Sequence, residues 1–260
     1  MNAPEALKSP LLERAGFRHA FFTRRGGVSE GPYASLSFSV SVGDHREHVA
    51  ENLRRAATAL GVAPERVYFL SQVHGTACHI ADGSEEAGDF LRHEGDAVIA
   101  LDTHLACGVR TADCVPILVG DRRSGAALAI HAGWRGVVGG VVASAIERLR
   151  ETLGDAGDLL AAIGPHISLQ AFEVSDEVAA RLTAASPDPS VVTRRGERAH
   201  VDLRRIVHAQ LRRVGLSDDA IDHVEGCTVG DPVRFFSYRR DGAKSGRHLS
   251  AIVPAAQATR

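Results

Sequence analysis

"VPILVGDRRSGAALAIHAGWRGVVGGVVASAIERLRETLG", residues 115–154, decides the fold. Its first half holds two apolar runs, "VPILVGD" and "GAALAIHAG", rich in the β-branched and aliphatic residues that strands favour and separated by a polar turn. From Val137 the period changes. Val138, Val141, Val142, Ala145, Ile146, Leu149 and Leu153 recur at helical spacing, with arginines and glutamates on the opposite face. A long helix is expected to begin just after Trp134-Arg135-Gly136. Adjoining strands followed by an amphipathic helix are the pattern of an α/β protein.

Working outward, "DAVIA" (96–100) and "LACGVRT" (105–111) read as further strands of the same sheet. "HAFFTRRGGVS" reads as a strand running into a glycine turn, and "VYFLSQVHG" as a buried strand ending in glycine. "DHREHVAENLRRAATALGV" is a helix with Gly61 as its stop. "LLAAIGP" is a strand, and "VSDEVAARLTAA" and "VDLRRIVHAQLRRVG" are helices with Ser175 and Asp202 as N-caps. "RFFSYRRDG" and "RHLSAIVP" close the chain as strands. No repeat or flexible linker interrupts the 260 residues, so the expectation is one domain over 1–260 with helices covering a mixed sheet.

Composition narrows the function classes. With 44% hydrophobic and 24% charged residues the chain is ordinary for a globular protein. A net charge of −2 gives no field to draw it to nucleic acid or an anionic membrane. No apolar run is long enough to span a bilayer, and the N-terminus lacks a secretory pattern. Cys78, Cys107, Cys114 and Cys227 form no disulfide framework, and a reduced cytoplasmic setting is expected. Lys8 and Lys244 are the only lysines, so positive charge is carried by arginine, whose planar fork suits anions.

Polar residues with chemical potential gather at strand ends. "SQVHG" brings Gln72 and His74, "RTADCVPILV" brings Asp113 and Cys114, and "AIHAGWRG" brings His131. Two imidazoles and a thiolate suit zinc, with a fourth position left open. The residues alone fit equally a turn histidine, a core cysteine and a strand-end histidine, because short metal spacings such as CxxC and HExxH are absent. His45 and His48 read as a solvated helix face. "TRRGGVS" sets Arg24 and Arg25 before two glycines whose amides suit an anion nest, and "FFSYRRDG" sets Arg239 and Arg240 beside aromatic rings. Trp134 is either a packing anchor or a surface for a purine ring, and Arg135 either faces a substrate or braces the turn.

The ordered set "TRRGGVSEGPYASLSFS", "SQVHG", "DAVIA", "RTADCVPILV", "AIHAGWRG", "IGPHI", "FEV" and "FFSYRRDGAKSGRHLSAI" resembles the YfiH family, also called the laccase-domain or polyphenol-oxidase family, over about residues 17–254. The resemblance implies a single-domain α/β/β/α sandwich like the catalytic domain of the cytotoxic necrotizing factors. It implies one zinc ion on His74, Cys114 and His131, which would also be the catalytic residues, and sets Arg24, Arg239 and Arg240 at the family's arginine positions; together with Gln72, Asp113 and Arg135 these are expected toward substrate. One departure stands out: Ser168 and Leu169 in "IGPHISLQAFEV" replace a Gly-Pro common in the motif, leaving His166 as an added polar group.

The activity so implied is purine nucleoside phosphorylase. Adenosine, inosine, guanosine or methylthioadenosine is cleaved by phosphate to the base and a ribose 1-phosphate. Adenosine deamination is implied beside it, with metal-activated water attacking C6. A multicopper oxidase is disfavoured, since no HxH occurs and the only methionine is Met1, although copper fits the same three ligands in vitro. An amidase remains the alternative, with Cys114 as nucleophile, His131 as base and a peptidoglycan precursor as substrate.

Overall fold

The computed structural model describes residues 3–155, 157–186 and 188–256, so the two ends of the 1–260 span lie outside the described residues. Two mixed sheets face each other. One has five strands, in the order Ala6–Leu7, Arg18–Phe22, His248–Val253, Ala106–Thr111 and Val67–Tyr68. The other has six, in the order Ile221–His223, Leu159–Ile163, Val115–Asp121, Ala127–Ala132, Ala97–Ala100 and Cys78–Ala81. Only the pairings at one end of the five-stranded sheet and at both ends of the six-stranded sheet are parallel.

Alternation along each strand explains why the runs look continuously apolar. In the strand Ala127–Ala132, Ala127 and Ala129 meet the other sheet while Leu128, Ile130 and Ala132 meet helices. Val115, Ile117 and Val119 face the same helices, and Leu118 faces the seam between the sheets. Strands covered on both faces have no wet side to leave polar. The small alanines on the seam side let the two sheets approach closely around Phe21, Tyr68 and Ile252. Outside the six-stranded sheet lie helices Val141–Leu153 and Leu203–Arg213; outside the five-stranded sheet lies Arg46–Leu60, through Ala56, Ala57 and Leu60. The layers therefore run helix, sheet, sheet, helix.

Several expectations hold to within a residue or two, among them the helix stop at Gly61 (φ 71°) and the caps at Ser175 and Asp202. Others need correction. "LACGVRT" does not share a sheet with its sequence neighbours; it lies in the five-stranded sheet. The helix after the second run starts at Trp134, stops at Gly140 in the left-handed region (φ 86°) and restarts at Val141. The strand in "VYFLSQVHG" ends at Tyr68. Beyond it the Gln72 side-chain amide takes over the edge pairing, donating to Arg110 O at 2.8 Å and accepting from Arg110 N at 2.7 Å. "RFFSYRRDG" forms no strand, because the Ser237 hydroxyl caps a short helix, Tyr238–Asp241.

His248 begins the central strand of the five-stranded sheet and is buried against Phe235 and Phe236. Its Nε2 accepts from Phe236 N at 2.8 Å, while Nδ1 is buried without a partner. Burial, with Arg24 and Arg247 nearby, pushes this imidazole down to about 3. The unfolded chain binds the proton near pH 6.5 and the folded chain does not, so stability falls as pH drops from about 6.5 toward 3. The loss from this one group should reach about 2 kcal/mol by pH 5. Urea unfolding at pH 7 and pH 5 should show that much less acid sensitivity in His248→Gln; equal losses in both proteins would refute it.

Candidate metal centre

The seam between the sheets opens at one end onto three converging side chains. His131 lies near the end of the strand Ala127–Ala132, and alternation with Ile130 and Ala132 turns it away from the helices, into the seam. Cys114 precedes the neighbouring strand, where Pro116 pairs with His131 and Val115 with Ala132. His74 comes from the loop after Val67–Tyr68 and adopts φ 60°. Asp113, beside Cys114, has φ 89°. Two non-glycine residues in the left-handed region, each in or next to the cluster, mark backbone held in place by its surroundings.

The donor atoms of His74, Cys114 and His131 all lie within 4.8 Å of one another. Cys114 Sγ is 3.8 Å from His74 Nε2, and the two histidine rings meet edge-on with centroids 4.9 Å apart. Bonds of about 2.0–2.3 Å in a tetrahedral zinc site place donors roughly 3.3–3.8 Å apart, so a small contraction closes the triangle. The donor set fits a borderline-soft cation and leaves one position open. Burial pushes the Cys114 thiol up, but the charge and hydrogen bonds of His131 and His74 outweigh it and hold the thiol below its ordinary value. Burial likewise pushes His131 down, yet the Cys114 charge and the Asp96 carboxylate hold it above its ordinary value.

Asp96 is the residue sequence reasoning missed. Fully buried, it accepts from His131 Nδ1 at 2.7 Å, which leaves Nε2 to face the cluster. It also accepts from the backbone amides of His74 at 3.0 Å and Gly75 at 2.6 Å, so one carboxylate fixes both histidines. Those bonds outweigh the upward push of burial and hold its pKa below the usual carboxylate range. The only signal in the sequence is an acid directly before the apolar "AVIA".

Gly133 closes the cradle. A Cβ there would lie 2.5 Å from His74 Cδ2 and 3.2 Å from Cys114 Sγ. Its backbone (φ −72°, ψ 160°) suits alanine, so Gly133→Ala should fold normally while pushing His74 off the cluster. Metal affinity, read by chelator competition, should fall at least about tenfold with an unchanged melting temperature. Unaltered affinity would show that the space matters for something else.

The remaining candidates fall into separate settings. Asp113 accepts from Thr228 Oγ1 and from Arg239 N, both at 2.6 Å. Arg239 reaches the carbonyl of Glu173 at 2.9 Å, and Arg240 braces the carbonyls of Thr228 and Phe235 and the Asp241 carboxylate. These three form one network behind Cys114. Arg24 lies over Phe236 and donates to Ala34 O at 2.7 Å and Pro232 O at 3.0 Å. The turn after it uses amides for internal bonds: Gly27 N goes to Ser35 Oγ and Val28 N to Asn52 Oδ1. Both of Gln72's polar atoms engage Arg110. Arg135 is exposed and covers Trp134 at 4.4 Å, with Arg181 at 5.5 Å from the same ring. Trp134 packs on the helix-side core, which favours its reading as an anchor.

Residues 18–255 match the family described as multi-copper polyphenol oxidoreductase laccase. The chain belongs to this laccase-like YfiH family. Among curated relatives, a Streptomyces coelicolor protein named purine nucleoside phosphorylase is 40% identical, covering 87% of this chain and 91% of its own. Another of that name, from Bacteroides thetaiotaomicron, is 36% identical over 94% and 93%. Among solved structures, YlmD from Geobacillus stearothermophilus superposes with a TM-score of 0.90 at 30% identity, covering 98% of both chains. Bacillus licheniformis YfiH gives 0.89 at 28% identity and 97% of both. These relatives support an enzyme, and the likeness spans nearly the whole chain. Among the described residues no helix is long and apolar enough to cross a membrane.

Proposed function

We propose that the chain is a zinc-dependent purine nucleoside phosphorylase of the cytoplasm, with residues 17–254 working as one domain. It would take adenosine, inosine, guanosine or methylthioadenosine with phosphate, and deaminate adenosine as a side reaction. One observation carries this reading: His74, Cys114 and His131 converge in a chain whose near full-length relatives bear the phosphorylase name. A zinc ion bound there would supply a Lewis acid with one open position beside the substrate.

The rest falls to the chain's own groups. Phosphorolysis needs phosphate held in line with the sugar carbon while charge on the departing base is stabilised. Arg135 makes no hydrogen bond or ion pair among the described residues, and Arg239 spends only one guanidinium nitrogen on main-chain carbonyls. Their free donors suit phosphate. Arg24, Arg240 and Gln72 act from behind, holding loops through main-chain bonds. Asp96 keeps His131 in one tautomer, and Gly133 keeps the approach narrow.

A second reading has one observation in its favour. The Cys114 sulfur and a His131 nitrogen lie within 4.8 Å of each other, with Asp96 orienting the ring from behind, which is the arrangement of a nucleophile, its base and an orienting acid. That pair would serve an amidase acting on peptidoglycan precursors; copper in the same ligands would serve phenol oxidation. Metal-loaded protein with adenosine, with and without phosphate, separates these. Adenine formed only with phosphate supports the phosphorylase. Inosine without phosphate shows deamination alone, and full activity after metal removal would overturn the zinc reading.

A further inference from the structure

On the far side of the Asp113–Thr228 network from Cys114, a cavity of about 200 Å³ is lined by His166, Ser168, Gln170, Arg204, Glu225 and Cys227, among others. His166 and Cys227 are partners in an isolated parallel bridge, so their side chains emerge side by side on one face. Cys227 Sγ lies 3.1 Å from Ser168 Oγ and 3.3 Å from Gly230 N. The amide donates to the sulfur, and the thiol donates to the hydroxyl oxygen, which can turn to donate in its place once the sulfur is ionised. His166 is only 8% exposed, and its Nδ1 donates to Gly164 O at 2.8 Å, which leaves Nε2 as a bare lone pair. Nε2 has no partner among the described residues, and the ring lines the same cavity.

The other thiols are placed differently. Cys107 is fully buried, and burial pushes it far up; burial pushes Cys78 up to about 12. Cys114 belongs to the metal cluster. Cys227 is half-buried, and hydrogen bonds from Ser168 and the neighbouring amides outweigh burial to hold it below its ordinary value. Accessible, low-pKa thiols are the ones that react.

We propose that Cys227 is a covalent modification site that forms a mixed disulfide with a low-molecular-mass thiol, seated in the cavity of His166, Ser168 and Arg204. The Cys227 thiol loses its proton to solvent through the open side of the cavity, and the thiolate attacks one sulfur of a small disulfide, while the neutral His166 Nε2 offers the incoming molecule an acceptor. That disulfide's S–S bond breaks as the Cys227 S–S bond forms, and the released thiolate leaves with the electron pair and takes a proton from solvent. The Arg204–Glu225 ion pair (2.6 Å) at the wall offers both charges to an amino-acid-like backbone.

Oxidised glutathione incubated with the metal-loaded wild-type protein provides the test. One adduct per chain is expected, mapped to Cys227 by peptide mass and removed by dithiothreitol. Ser168→Gly should slow its formation about threefold at pH 7, because the thiolate loses a hydrogen-bond partner while the more basic sulfur regains part of the rate as nucleophilicity. An adduct at another cysteine, or none, overturns the proposal, as does an unchanged rate in Ser168→Gly. The wild-type mapping needs no variant to fold, and its outcome is independent of any nucleoside activity.

Discussion

Cys114→Ala and His131→Ala are each expected to abolish turnover of adenosine with phosphate, by about a thousandfold or more, together with the bound metal. A thousandfold corresponds to about 4 kcal/mol of lost transition-state stabilisation, within reach of one Lewis-acid site. Both losses should coincide, because two remaining ligands cannot hold a tetrahedral ion with useful affinity. The fold should survive Cys114→Ala nearly unchanged, since the thiol sits at a strand entry, partly open to solvent. His131→Ala removes a partner of buried Asp96, leaving that carboxylate its three backbone donors, Val73, His74 and Gly75, at a cost of about 1–3 kcal/mol. Elemental analysis gives the metal content, thermal unfolding the fold, and product chromatography the rate. Turnover retained by either metal-free variant would remove the cluster from the reaction.

What the sequence reveals depends on whether the deciding interaction is local. The helix Arg46–Leu60 and the caps Ser175 and Asp202 are fixed by neighbours a turn away and are legible. The end of the strand at Tyr68 is not, because Gln72 replaces it through bonds to Arg110, a partner 38 residues distant. Nor is the division into two sheets. Once both faces of a strand are covered, its pattern no longer tells which sheet it joins. His74, Cys114 and His131 are spaced too widely for a metal motif and become a set only through the ordered family motifs. The departure at Ser168 is visible in the sequence, but its partner Cys227 lies 59 residues away and appears only in three dimensions. Asp96 shows the same limit at the site itself, since nothing near "DAVIA" indicates two histidines as its partners.

Asp96→Asn is the sharper test of how the cluster is held. Asparagine has the same shape but only one oxygen, and its NH₂ must then face a donor, either His131 Nδ1–H or the amide of Gly75. Either conflict releases a histidine: the first frees the His131 ring to rotate, the second lets the His74 loop move. Metal affinity should fall about 10–100-fold, the usual effect of removing the carboxylate behind a ligating histidine. Stability should fall by about 1–3 kcal/mol, since donors buried with the carboxylate lose a partner. Both Asp96 oxygens are engaged by His131 Nδ1 and the amides of residues 73–75, so its role is positioning rather than catalysis, and excess zinc should restore most of the turnover. Cys114→Ala, by contrast, should stay inactive at any zinc concentration, because there the ligand itself is gone. Asp96→Glu should not rescue: the added methylene drives the carboxylate into the space His131 occupies within the seam. Chelator competition measures the affinity, and a zinc titration of activity measures the recovery. Wild-type affinity in Asp96→Asn, or a turnover deficit that saturating zinc leaves untouched, would show that the carboxylate acts on the reaction directly and not through His131.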